Sequence, residues 1–485
     1  MKIDTPQVLV AALALMGGLL AFHNLDLPLV RNSLVYAKIA YAITDHGLLA
    51  SAQHAYNKAL GFSVLSWPLV AWFGANAGLK IASFIGTVLF MAVVPVFLKR
   101  LPGMDDKGQS EFLKTVLVLT LFNPLVAYQF MSAYPDAFFA ALTLGAIVFL
   151  DRMLSKDAGY LDAPAFAALA LAAVWVKHHG LIIVPIAAVF VLFRLQTLKR
   201  QWRRERNRFV GWSVSLAVLF VVLGAAKSGL VPTFNWKQTQ SNFLGGEDRV
   251  DIIAGNVLMF TQYLWVSLGL MFPLALCWQN YPGRREWLLL PFILILPILY
   301  YEGSKYNIRY FLLAAPLLAW LAAASLRRLA PPWRKSFMCA FVLFNAFTIF
   351  YYNHPAFYAL ARPYIQLPEY DNLRVMGHQG RQLRNLDMIR EHLPSHDNTL
   401  VYLSNYYKGE FSKIWERAGL YPQGTTVYYA KKWDHELINK FGLKKAVIFE
   451  YVGIGRGING VERDKEIKVK KIHDNFFLLD LEAPQ

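Results

Sequence analysis

The sequence predicts an α-helical polytopic membrane protein of about eleven spans, with a small C-terminal α/β domain outside the membrane. Three observations predict it. Of 485 residues, 56% are hydrophobic and 17% charged, against roughly 45–50% apolar in soluble domains. The apolar residues gather into runs close to the roughly 17–25 residues needed to cross hydrocarbon as helices. Near residue 353 the runs stop, and short β-rich segments alternate with helical ones to the end of the chain.

The runs lie at 6–23, 78–98, 112–129, 135–151, 162–176, 179–194, 209–227, 254–278, 286–301, 309–325 and 336–352. Lipid offers no partner for backbone N–H and C=O groups, so such runs must be helical. The first run is preceded only by the basic Lys2, and no small-residue cleavage site follows it. It reads as an uncleaved span and not as a signal peptide. These spans make a membrane domain over 1–352, with a long first outer loop at 24–77; residues 353–485 make the extracytoplasmic domain.

The formal net charge of +17 takes its meaning from where it sits. Residues 353–485 hold 19 Lys+Arg and 16 Asp+Glu, a balance of +3 that leaves +14 for the membrane part. There the bases collect in alternate loops: Lys99 to Lys114, Arg152 and Lys156, Arg194 to Arg208, Arg284-Arg285, and Arg327 to Lys335. All of these fall on one side, as cytoplasmic loops do. The charge is therefore topological, and nucleic acid is not expected as a partner. The N-terminus is expected to be cytoplasmic, with loop 24–77 and the C-terminal domain outside. Arg194–Arg208 reads as a surface helix facing anionic headgroups or as a plain topology anchor. Cys277 and Cys339 fall within spans and read as small core residues, not as a disulfide.

The first outer loop is unusual in its length. Leu34, Ala37, Ile39, Ala40 and Ile43 form an apolar stripe, predicting a helix that lies on the membrane surface and ends at Asp45-His46-Gly47 with Gly47 as its cap. Polar residues recur at outer span ends: Asp26, Arg31, Lys38, His54, Tyr56 and Lys58; Tyr134-Pro-Asp136; Lys177-His178-His179; Glu302, Lys305 and Arg309-Tyr310. Ionisable side chains at membrane depth are costly, so several on one face suggest a site. Each also has a plainer reading. Asp136 suits a helix cap, Lys177 and its histidines suit snorkelling at the interface, and Arg309-Tyr310 suits an aromatic-belt anchor. Among these outer-end residues no His-x-x-x-His or cysteine pattern occurs, so no metal is expected.

Beyond residue 353, Thr399–Leu403, Thr425–Tyr429 and Ala446–Tyr451 read as strands and 467–480 as one or two closing strands. Residues 381–393, 408–418 and 433–441 read as helices. That alternation predicts a small α/β unit. Gly453-Ile-Gly-Arg-Gly457 resembles a phosphate loop only superficially and reads as a turn.

The run Asn32-Ser-Leu-Val-Tyr36-Ala-Lys-Ile-Ala40, then His46-Gly47, Tyr56-Asn-Lys58 and Pro68-Leu-Val-Ala-Trp72, resembles the GT-C glycosyltransferases of the aminoarabinose-transferase and protein O-mannosyltransferase type. Tyr134-Pro-Asp136-Ala-Phe138, Val176-Lys177-His-His-Gly180 and Arg309-Tyr310 with Pro316 follow in the same order, so the resemblance covers about residues 1–330. It implies an inverting transfer of a sugar from a polyprenyl-phosphate donor to a glycan, lipid or protein acceptor at the outer face, in a bacterial inner membrane. The donor is a substrate, and no cofactor is implied. The family's catalytic acid falls on Asn32 and its neighbouring Glu on Ser33. The nearest carboxylates able to serve as base are Asp26 and Asp136. Lys58, Lys177, Arg309 and Tyr310 are implied for the donor phosphate, and Asn32, Tyr36, His54, His178, Glu302 and Lys305 for substrate contacts.

Two other function classes stand beside the enzyme. A lipid-linked-sugar flippase would carry inverted repeats and polar residues at mid-membrane, whereas the polar residues here cluster at span ends. A non-catalytic glycan-assembly subunit is favoured by the amide at Asn32.

Overall fold

The computed structural model describes residues 32–51, 59–101, 109–155, 159–195, 308–365, 399–403, 425–430, 433–443, 445–450, 469–473 and 476–480, with short runs and single positions elsewhere. Runs 6–23, 209–227, 254–278 and 286–301 lie wholly or mostly outside them, as does Gly453–Gly457.

Where the chain is described, the apolar runs are helices. α1 covers Asn32–Ser51, α2 Gly61–Leu98, α3 Gln109–Leu121 and α4 Pro124–Met131. α5 covers Asp136–Met153, α6 Asp162–Val176 and α7 Ile183–Phe193. α8 covers Ala315–Leu326, α9 Pro331–Asn353 and the short α10 Pro355–Ala361. Two 3₁₀ segments, His178–Ile182 and Ile308–Ala314, lead into α7 and α8. Among the described residues three helices are long and apolar enough to cross a membrane, or four if α3 and α4 count as one broken span. These are the helices of an integral membrane protein.

Two breaks depart from the sequence expectation of straight spans. The run at 112–129 bends by 56° between α3 and α4. Pro124 opens the new helix, and the Asn123 side chain accepts the Leu125 N–H at 2.9 Å, capping an N-terminus that proline cannot extend backwards. α2 breaks at Gly74, whose φ of 74° and ψ of 166° are open to glycine at no steric cost. Its segment 75–98 matches the predicted second span. Segment 61–73 exposes Leu65, Trp67, Trp72 and Phe73.

α1 differs from its expected place. The stripe predicted to lie on lipid is buried in protein: Leu34, Ala37 and Ala40 enter the main core, while Val35, Ile39 and Ile43 close over Leu60. Exposure begins only at Thr44, and the helix breaks at Gly47 with φ 79°, then resumes to Ser51. An apolar stripe satisfies a membrane surface or a protein groove equally well, and here α2 supplies the groove. α5 is the central helix, packed on α2, α6 and α7.

The C-terminal unit is a five-stranded mixed sheet: β1 (Thr399–Leu403), β2 (Thr426–Ala430), β3 (Lys445–Glu450), β4 (Val469–His473) and β5 (Phe476–Asp480), in the order β2-β1-β3-β5-β4. β1 pairs in parallel with β2 and β3, and β5 runs antiparallel between β3 and β4. The register places Leu400, Val447 and Leu478 on one face, joining the core of the helical domain. Val401, Ile448 and Phe477 on the other face pack against α11 (Glu436–Phe441) and Trp433. Both faces are thus covered, as strands with alternating apolar residues on each side require.

Candidate functional site

Three charged side chains that the sequence leaves far apart meet at one end of the bundle. Asp136 is the first residue of α5 and only 2% exposed. The Lys177 ammonium donates to its Oδ1, and Arg309 Nε lies 3.5 Å from its Oδ2. Lys177 and Arg309 are themselves 9% and 4% exposed. Asp136 therefore does more than the helix capping its position allows. Held on both oxygens by cations, it suits the role of a fixed counter-ion better than that of a free base.

Local backbone geometry aims each group. α6 ends at Val176 because Lys177 turns extended, with φ −155° and ψ 129°. The chain then folds back as a 3₁₀ turn, with the Gly180 N–H donating to the Lys177 carbonyl at 2.8 Å. A side chain at Gly180 would strike the Ala173 backbone, and one at Gly61 would lie 2.7 Å from the Trp175 carbonyl. Two glycines thus let α2 and the turn close tightly around Lys177. The segment before Asp136 is stapled from α2: Ser83 Oγ lies 3.0 Å from the Gln129 carbonyl, 3.1 Å from the Tyr134 carbonyl and 3.1 Å from Ser132 Oγ.

Aromatic rings line the ions. The Arg309 guanidinium sits 3.7 Å from the Tyr134 ring centre, and the Lys177 ammonium 4.0 Å from that of Tyr310. His179 stacks on Tyr310 at 5.0 Å. Ring faces attract cations and replace part of the lost hydration. Tyr36 enters from α1, held edge-on by Phe62 at 5.2 Å, with the Ser63 hydroxyl donating to its carbonyl at 3.1 Å. It interacts electrostatically with Asp136 and Arg309. Burial first, then the Asp136 charge, pushes its ionisation upward, so it stands as a neutral phenol.

The charge count matters most. Among the described residues two cations face one carboxylate, and Arg309 Nε and Nη1 make no hydrogen bond. A buried guanidinium with open donors is costly unless an anion completes it.

The crystal structure of ArnT from Cupriavidus metallidurans bound to undecaprenyl phosphate matches this chain with a TM-score of 0.60 at 14% identity, covering 99% of both chains. The apo form of ArnT gives 0.57 at 15% identity with the same coverage. The chain has the fold of ArnT. No protein-family model matches the chain, and no curated protein matches it by sequence.

On the ArnT fold, Asp136, Lys177, Arg309, Tyr310 and Tyr36 come together from four segments of the chain. Asp26, His54, Lys58, Glu302 and Lys305 lie outside the described residues, as does the Asn32 side chain. Beside His178, the adjacent His179 stacks on the site tyrosine. Tyr134 and Phe139 also border the cations. Tyr134 stood within the quoted motif, two residues before the acid; nothing in the sequence marks Phe139.

Proposed function

We propose that the protein is an inverting membrane glycosyltransferase that uses a polyprenyl-phosphate-linked sugar as donor. The observation that carries this is the buried guanidinium of Arg309, whose Nη1 makes no hydrogen bond beside an Asp136–Lys177 ion pair. A guanidinium with an unfilled donor suits a phosphate oxygen, and the ArnT crystal structure of the same fold holds undecaprenyl phosphate. In the proposed reaction an acceptor hydroxyl attacks the anomeric carbon, forming a new C–O bond. The bond from that carbon to the phosphate oxygen breaks, and its electron pair leaves with the polyprenyl phosphate. Arg309, Lys177 and Lys58 stabilise the charge that develops there. Asp26 takes the acceptor's proton, a contribution of about 10²–10⁴-fold. Asp136 holds Lys177 and Arg309 in place, and Tyr36 and His179 border the sugar.

The rest of the reading is a bundle of eleven spans over 1–352, with a cytoplasmic N-terminus and the C-terminal unit 353–485 outside the inner membrane. The acceptor is a glycan, lipid or protein, and no metal takes part. The amide at Asn32, where the family carries its acid, favours a second reading as a binding subunit without turnover.

The test uses full-length protein in lipid nanodiscs. It is given undecaprenyl-phosphate-linked pentoses and hexoses with envelope extracts as acceptor, and free undecaprenyl phosphate is measured. Release by wild type is expected, with a loss of about 10²-fold or more in Asp26→Asn. Tight undecaprenyl phosphate binding without release would establish the binding subunit instead. Donor movement across the bilayer without product would establish a flippase.

A further inference from the structure

Asp45 and Arg417 stand 372 positions apart in sequence and meet through two parallel hydrogen bonds, Nη1 to Oδ2 at 2.6 Å and Nη2 to Oδ1 at 2.9 Å. Arg417 belongs to the chain between β1 and β2, and Asp45 to the far end of α1. The same guanidinium lies 4.0 Å from the ring centre of Tyr41, one turn earlier on α1. The Tyr41 hydroxyl in turn accepts the N–H of Ala75 at 3.1 Å. Ala75 follows the break at Gly74, where a restarted helix has N–H groups without carbonyls of its own to reach. One tyrosine therefore ties the C-terminal unit, α1 and the break in α2 together.

The opposite end of α1 carries Tyr36 into the cation site, where the Ser63 hydroxyl holds its carbonyl. α1 is thus pinned at both ends, to α2 beside the site and to the C-terminal unit beyond it. We propose that Arg417 is a positioning residue for sugar transfer: through Asp45 and Tyr41 the C-terminal unit sets where Tyr36 stands against Asp136 and Arg309. This rests on the transferase reading. An ordinary exposed ion pair contributes little, and these side chains are 45% and 38% exposed. Three features set this pair apart from that case. It is bidentate, it stacks on a ring, and the ring is anchored to backbone. The Arg417 hydrogen bonds hold the Asp45 carboxyl below its ordinary value of 3.8, with His46 adding a smaller push the same way. The latch is therefore charged at neutral pH and opens only as pH falls through that lowered value.

The test compares wild type, Arg417→Met, Asp45→Asn and the swapped pair Asp45→Arg with Arg417→Asp, all full-length in nanodiscs. Two readouts are taken: hydrogen exchange of the amides of residues 33–45, and undecaprenyl phosphate release as a function of donor concentration. Each single variant is expected to speed exchange along α1 and to raise the donor KM about fivefold, with kcat little changed. The swapped pair is expected to restore both. Unchanged exchange and kinetics in the single variants, or no recovery in the swap, would overturn the proposal. Faster exchange in a protein whose wild type releases no polyprenyl phosphate would overturn the transferase reading and the positioning role with it, leaving a structural contact.

Discussion

The two ends of α5 carry the same residue types, a buried aspartate facing a buried arginine, and treat them differently. At the C-terminal end, Arg194 Nη2 donates to Asp151 Oδ1 at 2.6 Å and Nη1 to the Asp151 carbonyl at 3.2 Å, with Arg100 4.0 Å from the second oxygen. Asp162 nearby is paired with Arg152 at 3.1 Å. At the N-terminal end, Arg309 reaches Asp136 through one long contact and keeps Nε and Nη1 without hydrogen bonds. A folding contact satisfies its donors, because leaving them open in an apolar interior costs several kcal/mol per charge. Donors closed at one end make a brace; those left open at the other are the ones the transferase reading assigns to the donor phosphate.

Substitution at each end separates these roles. Arg309→Met should lower undecaprenyl phosphate release about 10²- to 10³-fold without lowering the thermal midpoint, since an incompletely paired buried cation is removed. A lower midpoint with release retained would reverse the assignment of the two ends. Arg194→Met should do the opposite. It strips Asp151 of its main partner, an expected cost of about 3 kcal/mol in denaturant unfolding, with the rate per folded molecule unchanged. Between these extremes lies Ser83→Ala, which removes the staple on the Tyr134 turn. It should cost about 1 kcal/mol and slow release several-fold while undecaprenyl phosphate binding holds; full release from this variant would show that the turn needs no staple.

Apolar runs made α5 and α6 readable, because a long stretch without charge admits one structure in lipid. Asp136, Lys177 and Arg309 were readable for a related reason, since charges at span ends stand out against apolar neighbours. Their mutual contacts were not, because helix packing and two glycine approaches bring them together, and neither leaves a local pattern. The stacking of His179 on Tyr310 was not legible either, because the 3₁₀ turn rotates adjacent side chains differently from the α-helix assumed. The burial of α1 shows the same limit from another side, since an apolar stripe does not record whether hydrocarbon or protein covers it.

The break at Gly74 has a consequence in hydrophobic matching. At 1.5 Å per residue, an unbroken α2 would be a rod of about 57 Å, well beyond a hydrocarbon core of about 30 Å. The segment 75–98 alone measures about 36 Å, a length a bilayer accommodates with modest tilt. The aromatic-rich segment 61–73 is freed to take another direction. One residue with a positive φ therefore shortens the straight helix from about 57 Å to about 36 Å, near the length a bilayer takes.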